Sequence, residues 1–186
     1  GRARLAVMLS PEGKLKGDLT LFNWGDGKYW IMGSYYLRQW HKRWFADHKG
    51  PNVMLHDLSD DNCGFSISGP NATKIIQTIQ PDLDLSFMGC GTFDLGLLRC
   101  KVGRLSVTGE LGYEIHCHAN EHIALRRMLL AAGADHGLKE VGFNALLSLR
   151  IEKSFGIWSA EFTQDRTAAM TGMDRWIDWQ KPDFNG

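Results

Sequence analysis

The chain has 186 residues, of which 44% are hydrophobic and 23% charged, and its 21 basic and 21 acidic side chains give a formal net charge of zero. With no basic surplus to hold a phosphate backbone, nucleic-acid binding is not expected. No apolar run approaches the length that crosses a bilayer, since the richest one, 123–134, is broken by Arg126 and Arg127. A chain of this size supports one sizeable core, or one compact domain with part of a second. The four cysteines, Cys63, Cys90, Cys100 and Cys117, form no C-x-x-C pair. They read as buried thiols of a reducing compartment rather than as disulfides. The chain opens on Gly1-Arg2-Ala3 and closes on Gly186. It is expected to be a piece of a longer polypeptide.

In chain order, residues 4–9 read as a buried strand, followed by a turn at Pro11-Glu12-Gly13. Residues 18–23 alternate polar and apolar, as a half-buried strand does, and Gly25-Asp26-Gly27 turns into a third strand at 28–32. Ser34 is placed to cap a helix through Lys49, with Leu37, Trp40, Trp44 and Phe45 on its inner face. Short strands are expected at 53–58 and 63–68. Gly69-Pro70 opens a second helix with Ile75, Ile76 and Ile79 inward, stopped by Pro81. Two more strands fall between 97 and 117, a helix runs from Asn120 to Ala132, and another covers about 143–155. From residue 28 the order is strand, helix, strand, strand, helix, strand. This predicts an α+β fold with a ferredoxin-like βαββαβ core and additional strands. The division expected is a partial strand segment at 1–27, a ferredoxin-like subdomain at 28–140, and a helix and tail at 141–186.

Several patterns invite chemistry. Gly89-x-Gly91 with Gly96 has the wrong spacing for a dinucleotide fingerprint, and strands follow it rather than a helix, so it reads as loop. Period-two alternation puts Glu114, His116 and His118 on one strand face. No further cluster of ligands completes a metal set, so no metal is expected there. Trp176 and Trp179 lie in a tail that needs a surface to pack on. Two carboxylates stand out. Asp18 follows the turn at 13–17, where the ordinary role of a carboxylate is to bond nearby amides. Glu114 sits between Tyr113 and Ile115 and must be paired, exposed or aimed at a ligand. Arg104 is one distant partner it could have.

Four stretches together resemble one family. Thr-Gly-Glu-Leu-Gly-Tyr-Glu-Ile at 108–115 resembles the Y-T-G-E-x-G-Y-E motif of the glycine-cleavage T-protein family of aminomethyltransferases. Gly-Lys-Leu-Lys-Gly-Asp at 13–18 is similar to that family's G-G-I-x-D-D turn. Residues 148–158, with Glu-Phe-Thr at 161–163, and the closing Trp-Gln-Lys-Pro-Asp-Phe-Asn-Gly at 179–186 resemble the dimethylglycine and sarcosine dehydrogenase branch. The sequence departs from the family at Val107, where a tyrosine opens the motif, and at Leu146, where the T-protein proper carries a folate-contacting arginine.

The resemblance implies a T-protein-like folate-binding fold, with a C-terminal barrel outside this chain. It implies a module that passes an amine-derived one-carbon unit to tetrahydrofolate, with FAD bound only in a separate upstream domain. Asp18 takes the place of the catalytic aspartate. Glu114 takes the place of the carboxylate that bonds the pterin ring, with Tyr113 beside it. A pterin edge offers an amide-like donor pattern that a carboxylate accepts in two bonds, and a fixed carboxylate stabilises the cationic one-carbon species and takes up a proton. The implied partners are the folate, the one-carbon unit and the remaining domains of the parent polypeptide, in the cytoplasm or the mitochondrial matrix. Alternatives are a stand-alone aminomethyltransferase of the glycine cleavage system, a folate-dependent demethylase, and a non-catalytic assembly module with the same fold.

Overall fold

The computed structural model describes residues 1–25 and 27–182. Asp26 and the last four residues of the closing motif, 183–186, lie outside the described part. Two antiparallel sheets organise the chain. The first has the order β1–β2–β3, from Arg2–Leu9, Leu15–Gly25 and Lys28–Met32. The second has the order β4–β7–β6–β5, from Asn62–Ser68 (β4), Cys90–Leu95 (β5), Leu98–Gly103 (β6) and Gly112–His118 (β7). Among the described residues the α-helices are α1 (Arg38–His48), α2 (Ala72–Ile79), α3 (His122–Gly133) and α4 (Phe143–Glu152).

The chain divides into two compact units. Unit 1 gathers Gly1–Ala3, Asn23–Lys28 and Leu58–Phe155, and its core is the second sheet with α2 and α3. In β7, Tyr113, Ile115 and Cys117 are buried while Glu114, His116 and His118 are not, the period-two pattern of a strand with one covered face. Ile67, Cys100 and Val102 add to that face, and Ile75, Ile76, Leu125 and Leu129 cover it from the helices. The spacing of Ala72, Ile75 and Ile76 puts one apolar stripe of α2 on the sheet, and fully burying each isoleucine contributes about 1.5–3 kcal/mol. Unit 2 gathers Arg4–Phe22, Tyr29–Asp57 and the chain from residue 156 onward. Its core is smaller, with Leu9, Leu15, Phe162, Ala168 and Met173 buried and Leu5, Val7, Trp158 and Ile177 packed on them.

The α+β class and the antiparallel sheets agree with the sequence reading, and the details depart from it. The run at 53–58 forms no strand; Val53, Met54, Leu55 and Leu58 are exposed in irregular chain. A short apolar run looks the same to a pattern reading whether it is a strand or a loop. Residues 90–95, which read as a glycine-rich loop, form β5, paired along its length with β6. Because 28–32 belongs to the first sheet, the βαββαβ order beginning at residue 28 is not the order of either sheet. Ser34 precedes a single 3-10 turn, Tyr35–Leu37, makes no side-chain cap bond, and the α-helix starts only at Arg38.

Candidate functional site

Asp18 belongs to unit 2. The chain reaches it through a tight turn in which the Ser10 amide donates to the Lys14 carbonyl (2.8 Å) and the Gly13 amide to the Ser10 carbonyl (2.8 Å). Gly13 sits at φ +73°, the left-handed region that glycine enters without a Cβ penalty. Along β2 the burial alternates, with Leu15, Gly17 and Leu19 buried and Lys16, Asp18 and Thr20 half-buried on the other side. Gly17 is required by its neighbour, because a Cβ there would come within 2.7 Å of His41 Nε2 and 3.2 Å of Met8 Sδ.

Burial pushes the Asp18 carboxyl up from 3.8 to about 6, opposed only by a bond from its own backbone amide. Among the described residues no cationic side chain pairs with it. Lys16, two residues away on the same strand, holds its ammonium over the Trp40 ring, 5.2 Å from the centroid. A carboxyl that is half-buried, unpaired and titrating near neutrality is suited to taking up and returning a proton.

Glu114 belongs to unit 1. It stands in the middle of the second sheet, opposite Ser66 on β4 and Gly103 on β6. It projects from the face away from the core, with His116 Nε2 3.8 Å from its Oε2. His116 sits opposite Gly64 on β4, where a Cβ would lie 2.7 Å from its Nδ1. Arg104 does not serve Glu114; its guanidinium Nη1 donates to the Leu85 carbonyl at 2.9 Å. Tyr113 points the opposite way. It is 2% exposed in the core, and its phenol exchanges a 2.9 Å hydrogen bond with Thr73 Oγ1. Tyr113 thus anchors the strand from behind, while Glu114 is presented in front. His118 leads into a 3-10 turn, with its amide donating to Glu121 Oε2, and His122 stacks on Phe65 at 4.9 Å. Among the described residues no group of three or more His, Cys, Asp or Glu is set to hold a metal ion.

The loop before β7 is tied down by residues that sequence reasoning passes over. Ser106 Oγ bonds both Ser68 Oγ (2.8 Å) and Thr108 Oγ1 (2.9 Å). Gly109 takes φ +69° beneath the Lys153 side chain, and Lys153 Nζ pairs with Glu110 at 2.9 Å. The motif at 108–115 and the first part of the segment at 148–158 therefore meet in unit 1. Arg150 closes α4, donating from Nη1 to the Phe155 carbonyl at 2.8 Å. In unit 2, Glu161 accepts from the Ile157 amide and Phe162 enters the core. His41 is a further residue that the pattern reading misses: it, rather than Trp40 or Trp44, is the one buried residue of α1. The spacing 37, 41, 44 already sets it on the apolar stripe. Trp176 lines a small cleft of unit 2, about 200 Å³, with Val7, Leu9 and Ile177, and both Trp176 and Trp179 are exposed.

Residues 1–181 match the family described as the GCVT N-terminal domain. The chain belongs to this family. Its fold is that of the glycine cleavage system aminomethyltransferase T from Bartonella henselae, with a TM-score of 0.76 at 21% identity, covering 93% of this chain and 47% of that one. Over its whole length it is 28% identical to an aminomethyltransferase of Desulforamulus reducens, covering 52% of that protein. It is 27% identical to the mitochondrial dimethylglycine dehydrogenase of Rattus norvegicus, covering 23% of it. The chain thus spans about half the length of the former relative and about a quarter of the latter. It is an aminomethyltransferase-type GCVT domain with both aminomethyltransferase and dehydrogenase relatives.

Proposed function

We propose that the chain is part of a module that passes a one-carbon unit, released by oxidation of an N-methylglycine, to tetrahydrofolate in a protein of the dimethylglycine and sarcosine dehydrogenase branch. The observation that carries the reading is Asp18, a carboxyl held at about 6 by burial with no cation beside it. Residues of this chain fit a folate: Glu114 offers a half-buried carboxylate on the strand face away from the core, and Asp18 a basic oxygen in a partly desolvated place. Tetrahydrofolate, when bound, supplies the nitrogen that takes the carbon. Asp18 takes up the proton at its carboxylate and stabilises the cationic charge of the one-carbon unit. Glu114 accepts hydrogen bonds from the pterin edge, and Tyr113 keeps its strand fixed to α2 through Thr73. Any FAD belongs to a separate upstream domain, and the remaining domains of the parent polypeptide are the partners.

Identities of 28% and 27% weigh the two groups of relatives equally. The choice of branch therefore rests on Leu146, which replaces the folate-contacting arginine, and on the segment at 148–163. The module works in the cytoplasm or the mitochondrial matrix, and the relative from Rattus norvegicus is mitochondrial.

The experiment is titration of tetrahydrofolate onto the full-length protein and its Glu114→Gln variant. Gln exchanges one acceptor oxygen for a donor at nearly constant shape. Binding should weaken by about 1.5–3 kcal/mol, the scale of a charged hydrogen bond. An unchanged dissociation constant, with a lowered melting temperature instead, would return Glu114 to a purely structural role.

A further inference from the structure

Three of the four thiols lie in one row across the covered face of the second sheet. Cys63 on β4 faces Cys117 on β7. On the other side of β7, Lys101 faces His116 and Val102 faces Ile115, and that register continued by one residue sets Cys100 beside Cys117. All three belong to the same apolar cluster. The row is not uniform. Cys100 is fully buried and Cys117 is 3% exposed, while Cys63, at the start of β4, is only half-buried. Cys63 and Cys117 stand directly opposite each other across the β4–β7 ladder.

The backbone sets the two cysteines directly opposite each other at this rung. The Ala119 amide donates to the Asp61 carbonyl and the Gly69 amide to the Leu111 carbonyl. Pairs alternate along an antiparallel ladder, so the rung at Cys63 and Cys117, in phase with both, is a hydrogen-bonded one. Its Cα atoms are then about 5.5 Å apart, inside the usual range for disulfides.

We propose that Cys63 and Cys117 form a dithiol that a hydroperoxide closes to a cross-strand disulfide. Cys63 sulfur attacks one peroxide oxygen, the O–O bond breaks, and the other oxygen leaves as water with the Cys63 proton. Cys63 is then a sulfenic acid. Cys117 sulfur attacks Cys63 sulfur, the S–O bond breaks, and the hydroxyl leaves as water with the Cys117 proton. Two thiols lose two electrons and two protons, and hydrogen peroxide is reduced to two waters. The order follows from burial, because Cys63 is the least buried thiol of the row and Cys117 is its register partner. Burial, reinforced by Cys63, raises the Cys117 thiol, so it stays protonated until the sulfenic hydroxyl opposite takes its proton. Burial likewise raises Cys100 to about 11 and raises Cys90, whose Sγ contacts the Asn23 carbonyl. Alternation along β7 puts this link on the face opposite Glu114.

The test treats the full chain with hydrogen peroxide, blocks the remaining thiols by alkylation, and maps the peptides by mass spectrometry. The expected product joins the Cys63 and Cys117 peptides with loss of two hydrogens, and dithiothreitol reverses it. Cys63→Ser should abolish the link and Cys90→Ser should leave it intact. In Cys117→Ser, Cys63 should run on to the sulfinic acid. A Cys100–Cys117 link overturns the proposal, as does a Cys63 that over-oxidises in the unaltered chain. So does a chain whose thiols all survive peroxide that oxidises a free cysteine peptide. Mapping of the unaltered chain decides the matter even where a variant fails to fold.

Discussion

Asp18 is more easily held by the fold as an acid than as a carboxylate. Its folded pKa of about 6 lies above the ordinary 3.8, so its contribution to stability is fully present below pH 3.8 and is lost as pH rises through about 6. The rise from 3.8 to about 6 corresponds to at most ~3 kcal/mol of destabilisation when the group is fully ionised. Asp18→Asn stays neutral at every pH. In urea unfolding the variant should therefore be more stable than wild type at pH 7, with the gap closing below about pH 4. His41, whose pKa burial lowers, penalises acid in both proteins alike and cancels in the comparison. A gap that does not change with pH would show that Asp18 titrates normally. Stability gained by removing a residue is the pattern expected where function, not folding, keeps it. Adjacent residues on β7 should behave oppositely. Tyr113→Phe breaks the bond to Thr73 and should lower stability by about 1 kcal/mol while leaving tetrahydrofolate affinity unchanged, measured by urea unfolding and titration side by side. Loss of affinity in that variant would place the phenol at the ligand instead.

At the scale of elements, the legible parts are those where periodicity and burial agree. The alternation of β7 and the isoleucine stripe of α2 can be read because one face of each is covered by the same core. Glu114 stands out for the same reason, as a half-buried carboxylate on a strand whose other face is apolar. Asp18 is marked by its motif, but its raised pKa is not legible, because desolvation depends on what packs around a strand. Residues 53–58 mislead because β-branched and apolar composition does not say whether a partner strand exists. The strand at 90–95 escapes a pattern reading because Gly91 and Asp94 look like a turn until β6 pairs with them. His41 escapes it because a polar residue on an apolar stripe reads as an interruption, whereas here two glycines, Gly17 and Gly33, make room for its ring. The ion pair of Glu110 with Lys153 joins positions 43 residues apart, which no local pattern reports.

For the molecule as a whole, the two units differ in how much they bury. Unit 1 packs a four-stranded sheet under two helices, while the core of unit 2 is a handful of residues from β1, β2 and the segment after 156. Local opening costs less where fewer apolar groups are covered. Native-state hydrogen exchange should accordingly show the amides of β6 and β7 protected more strongly than those of β1 and β3. Equal protection throughout would mean that the units unfold as one.

Asp18 lies in unit 2 and Glu114 in unit 1. The central claim of the proposed chemistry is that Asp18 acts on the transferred carbon rather than on folding or binding. The direct test is Asp18→Asn in the full-length protein, with one-carbon transfer and tetrahydrofolate binding measured on the same preparation. The amide keeps the shape and removes the charge and the basicity. Transfer should fall by roughly a hundredfold or more, the scale of a lost acid–base group, while the dissociation constant stays within a few-fold. A transfer rate equal to that of wild type would contradict the account and leave Asp18 as a residue of the turn into β2.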